Sequence, residues 1–209
     1  MQKIVFIDRD GVICENRADY VKNWQEFEFL PNVLEALAVL NQAGYKVVIV
    51  TNQSAIGRGL MSLADLQDIH TRMVNVVRQA GGDIEEIFYC PHQPEDQCYC
   101  RKPQPGMLNE AAEKLNIDLS RAYMIGDACT DIQAGQAVDC TSFLVLTGRG
   151  LAQLSLTLRQ ASANFHVVPH LDVAVKHIIS NDQRRLTHLK QTTNYTSFIS
   201  PFPTPVESV

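Results

Sequence analysis

Two carboxylates, Asp8 and Asp10, close the apolar run KIVFI, with Arg9 between them and Gly11 behind. A β-branched and aromatic run that stops abruptly in acidic residues is the pattern of a buried parallel strand delivering side chains to the carboxyl edge of a sheet, where open α/β folds place their chemistry. Residues two apart leave a strand on one side, so extended geometry through Asp10 predicts both carboxylates together and Arg9 turned away. Gly11 then allows a sharp turn. Three further polar groups end apolar runs in the same way: Thr51-Asn52-Gln53-Ser54, Arg101-Lys102, and Asp127 with Asp131. A lone D-x-D occurs in many surface turns; order and company give this one its meaning.

A second constellation is Cys90-Pro91-His92 followed by Cys98-Tyr99-Cys100, three thiols and an imidazole within eleven residues. Together they make a closed tetrahedral donor set suited to structural Zn²⁺. Gln93, Pro94, Glu95, Asp96 and Gln97 cannot pack a core between them, so a metal is what orders the loop. Arg101 and Lys102 follow directly, and the metal is expected to position both cations. The six cysteines would suggest disulfides in a small secreted chain, but the first ten residues carry Lys3, Asp8, Arg9 and Asp10 where a signal peptide needs an apolar core, which favours metal binding.

The elements that must carry these groups read as repeated βαβ units. Helices are predicted from Pro31 to Gly44, from Ser62 (with Asp65 completing a capping box) to Gly81-Gly82, over 106–115, over 130–137 and over 171–179, with a further helix between the last two strands. Strands are predicted over 46–50, 84–89, 122–125, 142–146 and 165–168. The polar, aromatic stretch 14–29 reads as a loop over the active edge. The fold class is therefore α/β, a Rossmann-like parallel sheet flanked by helices, with a minimal cap and a small zinc-binding loop. One domain is expected over 1–180, zinc loop at 90–100, and the Thr-, Ser- and Pro-rich residues 181–209 read as a mobile or loosely docked tail.

Bulk properties bound the partners. The chain has 209 residues and a net charge of −5, with scattered Lys and Arg in place of a basic stripe, which argues against nucleic acid and leaves room for a small anionic substrate. No apolar run approaches the ~20 residues of a membrane span. The expectation is a cytoplasmic protein, a monomer, with no membrane partner.

In order and spacing, Asp8-Arg9-Asp10-Gly11-Val12, Thr51-Asn52-Gln53-Ser54, Arg101-Lys102-Pro103 and Gly126-Asp127 with Asp131 resemble the haloacid dehalogenase (HAD) superfamily of aspartate-nucleophile phosphatases. The resemblance implies Asp8 as nucleophile and Asp10 as general acid and base. It implies Thr51 and Lys102 on the transferring phosphoryl group, and catalytic Mg²⁺ bound by Asp8, the carbonyl of Asp10, and Asp127. Elementary chemistry agrees: a carboxylate is ionised at neutral pH and needs no base, but its repulsion from phosphate must be cancelled. Asp131 reads as largely structural, at a helix N-terminus. Val12 stands where the family often has Thr, and Ala128 where many relatives have Lys, which leaves Lys102 as the phosphate lysine.

C-P-H-x5-C-x-C-R-K-P, together with Asp19-Tyr20-Val21 and Gly57-Arg58-Gly59, is similar to the branch holding heptose-bisphosphate phosphatases and histidinol-phosphatases. That similarity implies a phosphorylated sugar substrate, with histidinol phosphate as the alternative and a non-catalytic phosphosugar-binding protein as the distant one. A bisphosphate needs a second cation, for which Arg101 and Arg58 are candidates beside Asn52, Gln53 and Ser54.

Overall fold

A computed structural model of the chain describes residues 2–162 and 164–196, with side chains of the last helix described as far as residue 184. The chain divides into two compact units, Met1–Val175 and Lys176–Val209. In the first, β1 (Lys3–Ile7), β2 (Tyr45–Asn52), β3 (Glu86–Cys90), β4 (Tyr123–Gly126), β5 (Thr141–Val145) and β6 (Phe165–Val168) form one sheet in the order β3-β2-β1-β4-β5-β6. Every pairing is parallel. The expected α/β class and all six strands are present, each boundary within about two residues, the usual scatter of element ends.

The helices α1 (Val33–Gln42), α2 (Ser54–Gly57), α3 (Leu63–Gln79), α4 (Gly106–Leu115), α5 (Cys129–Gln136) and α6 (Gly150–Gln160) alternate with the strands. β1 and β2 read as unbroken apolar runs because both faces are covered: Ile4, Phe6, Val48 and Val50 pack with Met107, Leu108 and Ala111 of α4, while Val5, Ile7, Val47 and Ile49 are also buried and leave on the opposite face. Ser62 caps α3 as expected, its hydroxyl accepting from Asp65 N (3.1 Å) while Asp65 Oδ2 accepts from Ser62 N (3.2 Å). α1 begins later than expected, after Asn32, which sits at φ 61° as its N-cap.

No domain is inserted between β1 and β2. Residues 8–32 form the loop expected over the sheet edge, fastened by Trp24 stacked on Phe27 (ring centroids 5.1 Å) and Phe27 edge-on to Phe29 (5.0 Å). The last helix, α7 (Leu171–Thr196), runs well past the expected 179. Residues 181–196 hold no Gly or Pro and carry helix formers such as Gln183, Arg184, Leu186 and Lys190, so nothing in them stops a helix. Residues 197–209 of the expected tail lie outside the described residues. No helix among the described residues is long and apolar enough to cross a membrane.

The sheet reverses direction of winding at β1, whose neighbours are β2 and β4. Such a topological switch point opens a crevice at the strands' carboxyl ends. Asp8 follows β1 and Asp127 follows β4, so both carboxylates fall there.

Candidate active site

Asp8 is 5% exposed and leaves the end of β1. Its Oδ1 accepts from the Arg9 backbone N–H at 2.8 Å and pairs with Lys102 Nζ at 3.0 Å, which anchors that oxygen and leaves Oδ2 free of either donor. The same ammonium lies 2.6 Å from Asp131 Oδ1 and donates to the Val50 carbonyl at 2.7 Å. Lys102 is thus wholly inside, and burial alone would strip its charge; the Asp131 and Asp8 carboxylates outweigh that and hold its pKa above the ordinary lysine value. Its backbone is clamped as well, N donating to Asn52 Oδ1 and O accepting from Asn52 Nδ2, each at 3.1 Å. Asn52 therefore serves the site by holding Lys102.

Asp131 was expected to be structural, and it does cap α5, Oδ2 accepting from Ala128 N at 2.9 Å. Its other oxygen reaches Lys102, so it belongs to the site too. Asp8, Asp127 and Asp131 each offer an oxygen within 4.8 Å of the others. Asp127 Oδ2 accepts from Arg149 N at 2.7 Å, while Oδ1 is buried with no hydrogen-bond partner among the described residues, Arg149 Nη2 standing 3.5 Å off. The turn at Gly11 (φ 86°) presses its Cα so close that a Cβ there would collide with the Asp127 carboxylate. Three converging carboxylates, one with an orphaned oxygen, are hard donors that a divalent cation such as Mg²⁺ completes.

Strand geometry does not persist to Asp10: β1 ends at Ile7, and Arg9 is not turned away from its neighbours. Its side chain, 0% exposed, folds back to grip Asp10, Nη2 lying 2.9 Å from Oδ1 and 3.0 Å from Oδ2. Gln53 bridges Asp10 Oδ2 (2.7 Å) and Thr51 Oγ1 (2.9 Å) through one amide nitrogen. Because Thr51 accepts that bond, its hydroxyl proton is left to donate.

Asp8, Asp10, Asn52, Gln53, Ser54, Arg101, Lys102 and Asp131 line one cavity of about 500 Å³, together with Arg149 and with Asn16, Arg17 and Tyr20 of the loop. Thr51 and Asp127 are buried and are not among the residues that line it. Arg58 is not brought in; its Nη2 lies 4.0 Å from Glu95 Oε2. Beside the cavity, Cys90, His92, Cys98 and Cys100 converge as expected. Cys90 Sγ stands 3.5 Å from Cys98 Sγ and 3.2 Å from Cys100 Sγ, and His92 Nδ1 stands 3.3 Å from Cys100 Sγ. Tetrahedral Zn²⁺ with Zn–S near ~2.3 Å spaces its sulfurs about 3.8 Å apart, so the four donors fit it after a small expansion. Of the two cations that follow, Arg101 leans on this loop, donating to the His92 carbonyl at 3.0 Å, whereas the polar contacts of Lys102 run to Asn52, Val50, Asp8 and Asp131.

Residues 99–174 match the family model described as HAD-hydrolase-like. The chain is 43% identical over 164 residues to D-glycero-β-D-manno-heptose-1,7-bisphosphate 7-phosphatase of Pseudomonas aeruginosa, covering 78% of this chain and 92% of that one. It is 44% identical over 153 residues to the enzyme of that name from Neisseria meningitidis, covering 73% and 82%. The chain belongs to the HAD-like phosphatases. Among solved structures, D,D-heptose 1,7-bisphosphate phosphatase from B. bronchiseptica, complexed with magnesium and phosphate, superposes with a TM-score of 0.82 at 37% identity, over 86% of this chain and 99% of that one.

In this HAD-like phosphatase, Asp131, which the sequence places at the active edge with a largely structural role, joins the site through Lys102, and Arg149, which no sequence motif singled out, joins it as well. Arg149 follows β5 and Gly148, a strand end, which was the available signal. The crowding has a thermodynamic consequence. Burial raises Asp8 to about 7, Lys102 pulling against it and Asp131, Asp127 and Asp10 adding to it; burial and then Asp131 raise Asp127 to about 6. Folded pKa values above the unfolded 3.8 mean that the native state holds protons the unfolded chain has lost, so stability falls as pH rises between about 4 and 7. Magnesium-free protein should melt at lower temperature at about pH 7.5 than at about pH 5, and added Mg²⁺ should raise the Tm more at the higher pH. Melting temperatures that climb over this range without Mg²⁺ would contradict the crowding.

Proposed function

We propose that the protein removes the 7-phosphate of D-glycero-β-D-manno-heptose 1,7-bisphosphate by forming and hydrolysing a phosphoryl-aspartate. One observation carries the reading: a buried Asp8 with the Lys102 ammonium 3.0 Å away, at the edge of a cavity of about 500 Å³, in a chain 43% identical to an enzyme of that name. Asp8 attacks phosphorus and the bond from phosphorus to the sugar oxygen breaks. Asp10 gives the departing alkoxide a proton, later takes one from the attacking water, and so returns Asp8 free and phosphate as product. Lys102 and the Thr51 hydroxyl offset charge on the transferring group.

Asp8, Asp127 and the Asp10 carbonyl, with Asp131 close by, would hold Mg²⁺, which supplies positive charge to phosphate oxygens and cancels their repulsion from the nucleophile. Cys90, His92, Cys98 and Cys100 would hold structural Zn²⁺. Arg101, planar and able to grip phosphate bidentately, is assigned to the phosphate that stays on the sugar. Arg58 takes no part in this arrangement. Gln53 and Ser54 complete the wall.

The test is a comparison of kcat/KM, with Mg²⁺ supplied, for the β and α anomers of the bisphosphate and for histidinol phosphate. The β bisphosphate should lead. A higher value for histidinol phosphate would move the protein to the other branch of its family.

A further inference from the structure

Arg9 is among the largest fully buried side chains of the protein, and its guanidinium is held at three corners. The Nε and Nη2 edge forks onto Asp10, with Nε 3.2 Å from Oδ1, and Nη2 also donates to Gln53 Oε1 at 3.0 Å. The remaining corner, Nη1, lies 3.3 Å from Nε2 of His70 on α3. A guanidinium keeps its charge and only donates, so His70 Nε2 must present its lone pair and the ring proton must sit on Nδ1. His70 is 8% exposed, and burial followed by the Arg9 charge pushes its pKa down to about 3, so the neutral ring is the form present at working pH. It does not line the active cavity, and no step of the hydrolysis uses it.

We infer that His70 is a positioning residue: by holding Nη1 it fixes the rotation of the Arg9 plane, and through that plane it sets the direction in which the Asp10 carboxylate points. Asp10 needs such a device. Its side chain is 23% exposed, it stands past the end of β1 on a turn into Gly11, and its remaining side-chain contacts are the Gln53 amide at 2.7 Å and the Cys14 thiol at 3.4 Å. A planar group tied at one edge can swing about that edge; a third tie on the opposite corner removes the swing. Without His70, a buried donor lacks its acceptor and the fork turns to find another. The inference rests on the reading of Asp10 as the proton donor.

The experiment measures first-turnover release of the leaving group from heptose bisphosphate, whose alkoxide needs a proton, and from 4-nitrophenyl phosphate, whose phenolate leaves without one. His70→Leu should slow the sugar phosphate about 10-fold and the aryl phosphate less than about 2-fold, a fraction of what full loss of an acid costs. His70→Gln, whose amide oxygen can take Nη1, should restore the sugar rate to within about 3-fold of wild type, which a merely structural role would not predict. Should His70→Leu not fold, His70→Asn, too short to reach Nη1, carries the same expected loss. Asp10→Asn is the reference. If it shows a loss confined to the sugar phosphate while the His70 variants slow both substrates equally or neither, the His70 inference is wrong and the Asp10 reading stands; if Asp10→Asn shows no such selectivity, the proton-donor reading fails and takes the inference with it.

Discussion

Asp8→Asn is expected to lower kcat/KM by at least ~10⁴-fold on any phosphomonoester, because an amide oxygen is no nucleophile and the hydrolysis then has no covalent route. Folding should survive the change. Lys102 keeps Asp131 at 2.6 Å and the Val50 carbonyl at 2.7 Å, so its ammonium is not left as an unpaired buried charge. The substitution also removes a carboxylate that burial, against Lys102, raises to about 7, so at neutral pH the magnesium-free variant should melt no lower than wild type and by the sign of the shift somewhat higher. The two readouts pull in opposite directions: activity collapses while the Tm holds or rises. Steady-state assay with a thermal melt of the same sample checks both. Activity within about 10-fold of wild type would end the nucleophile assignment, and an unfolded variant would mean that Asp8 does structural work the Lys102 contacts do not reveal.

Most of this site was legible because a parallel sheet writes itself plainly. Strands buried on both faces read as unbroken apolar runs, and where each stops its polar residues must lie at one edge. Asp8, Thr51 and Asp127 were found that way, and each follows or closes a strand. The four zinc-type donors were legible from spacing alone, since chain connectivity over eleven residues already brings them near. What was hidden depends on side-chain direction. Arg9 looked like a residue turned from the site, because strand alternation was carried past Ile7 where the backbone no longer follows it. Its partner His70 lies 61 residues on, inside α3, where it is buried beside Leu66, Ile69 and Met73, and no local pattern ties the two together. Asp131 was read as a cap, which is true of one oxygen; that the other meets Lys102 is fixed by how α5 packs beside β4, and no local pattern encodes that.

The same distinction between backbone and side-chain ties governs what loss of the zinc-type loop should do. Residues 93–97 have few interactions of their own, chiefly Gln93 N to Asp96 Oδ2 at 2.7 Å and Gln93 Nε2 to the Gly57 carbonyl at 2.9 Å. A structural Zn²⁺ is worth roughly 10–16 kcal/mol in small peptides, comparable with the whole stability of a domain, about 5–15 kcal/mol. Cys100→Ser, which also loosens a ligand packed in the core with Met107 and Leu108, should therefore abolish stoichiometric zinc in purified protein and lower the Tm by well over ~10 °C. The sequence suggests that such a loop positions Arg101 and Lys102 together. The contacts separate them. Arg101 hangs on the His92 carbonyl and goes with the loop, whereas Lys102 is clamped by both ends of the Asn52 amide and by Val50 on β2, and stays. In protein kept folded by assay at about 10 °C, the KM for the bisphosphate should accordingly rise at least ~10-fold as the second phosphate loses its partner, while kcat falls less than ~10-fold because the groups around the reacting phosphate remain. A kcat loss that exceeds the rise in KM would show that the loop governs Lys102 after all, and that the Asn52 clamp alone cannot hold it against three buried carboxylates.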